Sequence, residues 1–155
     1  MTKSFIGVFI YLVVAISLLI FASYQLLNAD LGKLENLRLV INCILLGGLG
    51  GVLYCFRSMY LNFCVKNNWE KKWIPWYIIR PIVSTICGGI SFLFLKTGLL
   101  ILEAQKESDS SNLGFYAFAI IAGMNVDNFI KKIEDIAETT WGISKSRTSK
   151  ENNGI

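Results

Sequence analysis

The sequence predicts an all-α integral membrane domain, and three observations carry that expectation. Hydrophobic residues make up 54% of the 155 residues and charged residues only 17%, with a mean hydropathy of +0.51. A soluble domain carries about a quarter charged residues. The apolar residues gather into four long runs bounded by charge. At about 1.5 Å of helix rise per residue, such runs approach or exceed the length needed to cross an apolar layer about 30 Å thick. The expected architecture is a bundle of four transmembrane helices over residues 1–142, ending in a cytoplasmic amphipathic helix, followed by a flexible polar tail over 143–155.

The first span, 5–27, has no charge and is too long for the apolar stretch of a cleaved signal peptide, so it reads as a retained anchor. The second, 39–56, holds Asn42 and four glycines and stops at Arg57. The third is expected over 82–102, with Lys96 its only charge; Pro81 suits a helix start, where its missing N–H costs nothing, and residues 76–79 extend the helix backwards if it kinks there. The fourth, 113–130, is the shortest, since only 14 residues precede the charge at Asp127; a re-entrant or interfacial helix is the alternative. Ser110, Ser111 and Asn112 are candidate N-caps for it.

Beyond it, Phe129, Ile130, Ile133, Ile136, Ala137 and Trp141 recur at helical spacing opposite Lys131, Lys132, Glu134, Asp135 and Glu138. This predicts an amphipathic helix over 128–142, stopped at Gly142, that lies on the inner leaflet, packs on the basic loop or docks a cytoplasmic protein partner.

Lysine and arginine divide unevenly between the connections. Eleven fall on the side of the N-terminus, the 57–80 loop and the C-terminal tail, and three fall on the other, where Glu103, Glu107 and Asp109 also lie. Basic residues stay inside, so both termini are expected to be cytoplasmic in a multi-pass inner-membrane protein. Trp69, Trp73 and Trp76 with Lys71 and Lys72 form an aromatic and basic cluster of the kind that sits at the headgroup level, and beside a span this favours the lipid bilayer over nucleic acid as its partner.

The candidate functional residues each have a structural counterpart. Gly47 with Gly51, and Gly88 with Gly89, permit close helix approach, either within one subunit or between copies of a homo-oligomer. Arg80 and Asp127 fall at one depth if the last two spans are antiparallel neighbours, forming a polar clamp that Asn125 can join, or else part of an ion path. Lys96 lies within its expected span, with no acidic residue at matching depth; it either snorkels or faces an aqueous pore that favours anions. The cysteines Cys43, Cys55, Cys64 and Cys87 have no CxxC spacing and read as small buried hydrophobes.

Enzyme chemistry has little to work with here. Absence of histidine excludes His-based triads and HExxH zinc sites, and no metal or other cofactor set is evident. Small multidrug exporters place a glutamate in their first span, and CDP-alcohol lipid transferases need an aspartate-rich motif; neither occurs here.

The segments Trp-Ile-Pro-Trp-Tyr-Ile-Ile-Arg-Pro, then Cys-Gly-Gly, then Phe-Tyr-Ala-Phe-Ala-Ile-Ile-Ala-Gly-Met before Asp127, resemble small uncharacterised bacterial inner-membrane proteins over about residues 69–133. The resemblance implies a prokaryotic multi-span protein, some of whose kind act as membrane effectors, and transfers no catalytic residue. The expected function is therefore a non-enzymatic, self-associating membrane protein, acting as a pore or effector module or as the membrane subunit of a larger system. A small carrier with a polar path at Arg80 and Asp127 is the alternative, and an intramembrane enzyme the third.

Overall fold

The computed structural model describes residues 2–28, 35–67, 69–98 and 111–144, and among them every regular element is helical. The elements are α1 (Thr2–Asn28), α2 (Glu35–Tyr60) continued by a π-helical turn (Leu61–Val65), a 3-10 turn (Lys71–Trp73), α3 (Ile74–Lys96), α4 (Ser111–Met124) and α5 (Val126–Trp141). Three helical stretches, Lys3–Asn28, Asn36–Val65 and Lys71–Lys96, are long and apolar enough to cross a membrane. A fourth crossing exists if Asn112–Met124 and Val126–Trp141 count as one broken span. The expected polar tail lies outside the described residues from 145 onward.

Helix α2 is central. Phe9 meets Phe56 edge-on at 5.9 Å and the Arg38 guanidinium donates to the Leu27 carbonyl, so α1 and α2 are antiparallel. Tyr54 lies 6.0 Å from Trp76 while Lys96 reaches Asn36, so α2 and α3 are antiparallel as well. Helix α4 runs beside both, with Phe115 against Phe92 and Gly123 against Gly47. One end of these packed helices gathers Lys3, Arg57, Lys66, Lys71 and Lys72 and is called the basic end below.

Small residues let α2, α3 and α4 touch backbone to backbone. A Cβ on Gly47 would stand 2.6 Å from the Gly88 Cα and from the Ser84 carbonyl oxygen, and one on Gly123 would stand 2.9 Å from the Gly47 Cα. No side chain fits there, which is why glycine occupies all three positions. Ser84 then donates to the Gly123 carbonyl at 2.9 Å, satisfying one of the last carbonyls of α4 that no helical turn can reach.

At the basic end the core is aromatic. Trp69 stacks on Tyr77 at 5.5 Å and meets Phe5 edge-on, and Phe5 stacks on Phe63 at 4.0 Å. Below this cluster Val8, Leu12, Val52, Cys55 and Met59 close the contact of α1 with α2. Most of the remaining α1 surface, including Ile6, Ile10, Val14, Leu18 and Phe21, is exposed and apolar.

Two span boundaries differ from those the sequence predicts. Helix α3 starts at Ile74 and passes through Pro81, so Pro75 rather than Pro81 occupies its first turn. It also ends at Lys96 rather than at 102: Thr97 turns its hydroxyl back to the Leu93 and Phe94 carbonyls, and Gly98 adopts φ +74°, a left-handed conformation that glycine accepts without a Cβ clash. Residues 99–102 lie outside the described residues.

The fourth span is not continuous over 113–130. Helix α4 stops at Met124, and α5 leaves it at a bend of 107°. Asn125 sits between them at φ −115°, ψ 47°, outside helical space. Its N–H still closes the last turn of α4 on Ile121, at 3.0 Å, while its carbonyl opens α5 by accepting from Phe129 at 2.8 Å. One residue thus ends one helix and begins the next.

Candidate functional site

The polar residues of the basic end form the candidate site. Arg80 lies on α3, 7% exposed, with its Nη1 2.9 Å from Asp127 Oδ2 in the first turn of α5. A carboxylate in that turn also faces the positive end of the helix dipole. The guanidinium carbon lies 4.8 Å from the centre of the Tyr54 ring and 5.6 Å from that of Trp76. Two aromatic faces and one carboxylate therefore hold a buried cation whose Nε has no partner. The partners are unequal, since the Asp127 side chain is 73% exposed.

Of the three residues expected to gather here, the structure brings two together, Arg80 and Asp127. Asn125 does not join the Arg80–Asp127 pair: its side-chain amide reaches back 3.5 Å to the Ile121 carbonyl, and its role is the bend itself. Asparagine suits that place because its short amide competes for backbone carbonyls.

The glycines are used within the chain. Gly47 and Gly88 meet each other, Gly51 faces Ser84 and the Pro81 Cα, and Gly89 faces Ile44. This is the intra-subunit alternative of the sequence reading. The faces that would have joined two copies are occupied by neighbouring helices of the same chain.

Lys96, expected inside a span, is the last residue of α3 and exposed. Its ammonium lies 3.5 Å from Asn36 Oδ1 and 5.4 Å from the Phe92 ring centre, an end-of-helix position suited to snorkelling. Of the interfacial cluster, Lys71, Lys72 and Trp73 are exposed, with Lys72 paired to Glu70 at 2.7 Å, and Trp76 is half-buried. Trp69 departs from the expectation. At 3% exposure it is a core residue of the aromatic cluster, and its Nε1 has no partner. Aromatic neighbours on two helices, Phe5 of α1 and Tyr77 of α3, enclose it.

A second set of polar residues continues the site along α2. Asn62 Nδ2 donates to the Tyr77 hydroxyl at 3.2 Å and lies 3.4 Å from Ser58 Oγ, and Tyr77 and Ser58 are themselves 3.3 Å apart. Beside them opens a cavity of about 260 Å³ lined by Tyr54, Arg57, Ser58, Leu61, Asn62 and Lys66. Sequence reasoning passed over this group because the apolar run was counted only to Phe56. The signal was available in the helical spacing of 54, 58, 61 and 62. Asn42, buried at 2% exposure on α2, was likewise read only as part of a run, and its Nδ2 has no partner.

Among the described residues no group of histidine, cysteine and acidic side chains is arranged to hold a metal. No family model matches the chain, and the searches of curated proteins and of solved structures found no match to it.

Proposed function

We propose that this chain is a non-enzymatic, multi-pass inner-membrane protein that self-associates and serves as a membrane-effector module or as the membrane subunit of a larger system. One observation supports this reading above the others. Helix α5 is strongly amphipathic and nearly perpendicular to α4, yet only Val126, Phe129 and Ile133 of its apolar stripe pack on the cluster around Cys87 and Ala122. Ile130 and Trp141 remain exposed. A helix in that direction lies along a membrane surface, with its free apolar residues set in the headgroup boundary or against another protein.

Topology agrees with this reading. The start of α1 lies at the basic end and the chain returns toward that end at the bend before α5, with α4 as a short fourth crossing of about 21 Å, and the positive-inside rule then puts that end in the cytoplasm. The lipid bilayer is then the solvent of α1. Self-association has to use a surface other than the glycine faces, and pore formation through Lys96 has less support than the sequence alone offered, because that residue ends its helix. The carrier reading keeps the Arg80–Asp127 pair, here a clamp on the bend.

A photo-activated cross-linker placed at Ile130 and at Trp141 in native membranes tests the proposal. Adducts between two copies of the chain are expected. Adducts to lipid alone, together with a monomeric particle in mild detergent, would overturn it.

A further inference from the structure

The cavity at the basic end has a cause in the lengths of the helices. The face of α2 that carries Gly47 and Gly50 is covered by α4, down to Ile120 and Met124. Adding 4, 7 and 11 residues to Gly50 follows the same helical stripe to Tyr54, Arg57 and Leu61. All three line the cavity. Because α4 ends at Met124 and α5 turns away, this lower part of the stripe is uncovered.

We infer that the uncovered cavity binds the phosphate of an anionic membrane lipid. Arg57 and Lys66 supply two cations, both exposed and neither engaged by a carboxylate among the described residues. Asp127 of the clamp is paired with Arg80, and no carboxylate lines the cavity among the described residues. Charge in the cavity is therefore of one sign.

The polar groups have spare donors. Asn62 donates to the Tyr77 hydroxyl, and with Tyr77 donating to Ser58 the Ser58 proton is left for a phosphate oxygen. Leu61 gives the remaining wall an apolar patch on which the start of an acyl chain can lie. The volume suits a headgroup fragment, since pockets for whole drug-sized ligands begin at about 300 Å³. Arg57 is the charge that closes the apolar run of α2, which sets the cavity at headgroup depth if the chain spans a membrane as proposed above. The inference rests on that reading.

The test is native mass spectrometry of the full chain, extracted in mild detergent and titrated with phosphatidylglycerol and, separately, phosphatidylcholine. One phosphatidylglycerol is expected to bind with a preference on the order of tenfold or more over phosphatidylcholine, as two basic residues at a membrane surface supply. Arg57→Gln with Lys66→Gln should abolish the preference, and Lys131→Gln with Lys132→Gln on α5 should leave it intact. Arg57→Lys, which keeps the charge, should retain most of it and shows that the site tolerates substitution. In the wild-type protein the preference should also fall as salt rises.

Equal binding of the two lipids, or a preference that survives the Arg57 and Lys66 pair of changes, overturns the inference. So does saturation of the site by inorganic phosphate at the same concentration as lipid, which would make it a soluble-anion site. Failure of the membrane reading would show separately, as a chain that remains in the aqueous phase without detergent.

Discussion

Replacing Gly123 by alanine tests whether the packing of α2, α3 and α4 is what holds the chain together. The new Cβ would stand 2.7 Å from the Gly47 carbonyl carbon and 2.9 Å from its Cα, where carbon pairs are content at about 3.5–4.0 Å. Since both are backbone atoms, no rotamer relieves the contact and α4 has to retreat by roughly 1 Å. A gap of that size forfeits about a quarter to a half of each dispersion contact along the interface, and overpacking of this kind costs about 1–3 kcal/mol. Gly114→Ala, earlier in the same helix, is the control: nothing lies within 4 Å of its Cβ, and the helix should gain roughly 0.5–1 kcal/mol from the lost glycine. Thermal unfolding in detergent should therefore move in opposite directions, with Gly123→Ala lowering Tm by roughly 2–12 °C. An unchanged or raised Tm for Gly123→Ala would refute the packing argument. Dissociation of an oligomer with the monomer's unfolding unaltered would instead put these glycines between subunits.

Two further outcomes are expected at the basic end. Asp127→Asn keeps the shape of the clamp and an acceptor oxygen but leaves the Arg80 cation without its counter-charge. Because Asp127 is largely exposed, the stability loss should stay within about 1 kcal/mol, while limited proteolysis near 125–128 accelerates as α5 is freed; unchanged cleavage would show that Val126 and Phe129 hold the bend unaided. Trp69→Phe removes a buried N–H that has no partner and keeps a ring against Tyr77, so Tm should hold or rise, whereas Trp69→Ala should cost about 3–5 kcal/mol. A phenylalanine variant that loses more than about 2 kcal/mol would mean that the indole donor is satisfied after all.

Features that depend on length and local charge were legible in the sequence. Four apolar runs gave the all-helical class and the order of elements, and the equal depth of Arg80 and Asp127 followed from two antiparallel neighbours. Contacts between distant segments were not legible in the same way. The burial of Trp69 depends on Phe5 and Tyr77 arriving from other helices, and apolar periodicity carries no record of them. The helix stop at Thr97 and Gly98 was written in turn chemistry, but the leucines that follow masked it in a count of apolar residues. Asn125 was read for its polarity as a partner to Asp127, when its effect is on the backbone. The cavity was missed for a simpler reason: it exists because α4 is absent from the lower part of α2, and no residue of its lining announces that absence.

One mismatch links the bend, the clamp and the cavity. Helix α4 has 14 residues, about 21 Å of rise, and α2 has 26, about 39 Å. Glycine contacts at Gly47 and Gly50 fix the depth at which α4 lies against α2, so its last turn falls short of the basic end wherever the two helices begin. The chain leaves α2 there, and a backbone that stops being helical needs its carbonyls answered. Ser84 answers that of Gly123 and the Asn125 N–H that of Ile121. Arg80 pairs with the first carboxylate of the next helix beside α3 while Val126, Phe129 and Ile133 pack on the cluster around Cys87 and Ala122, and α5 so anchored leaves bare the stripe that α4 does not reach. The anchors that hold α5 at the bend, one ion pair and three apolar side chains, thus lie beside the opening that the short α4 leaves on α2.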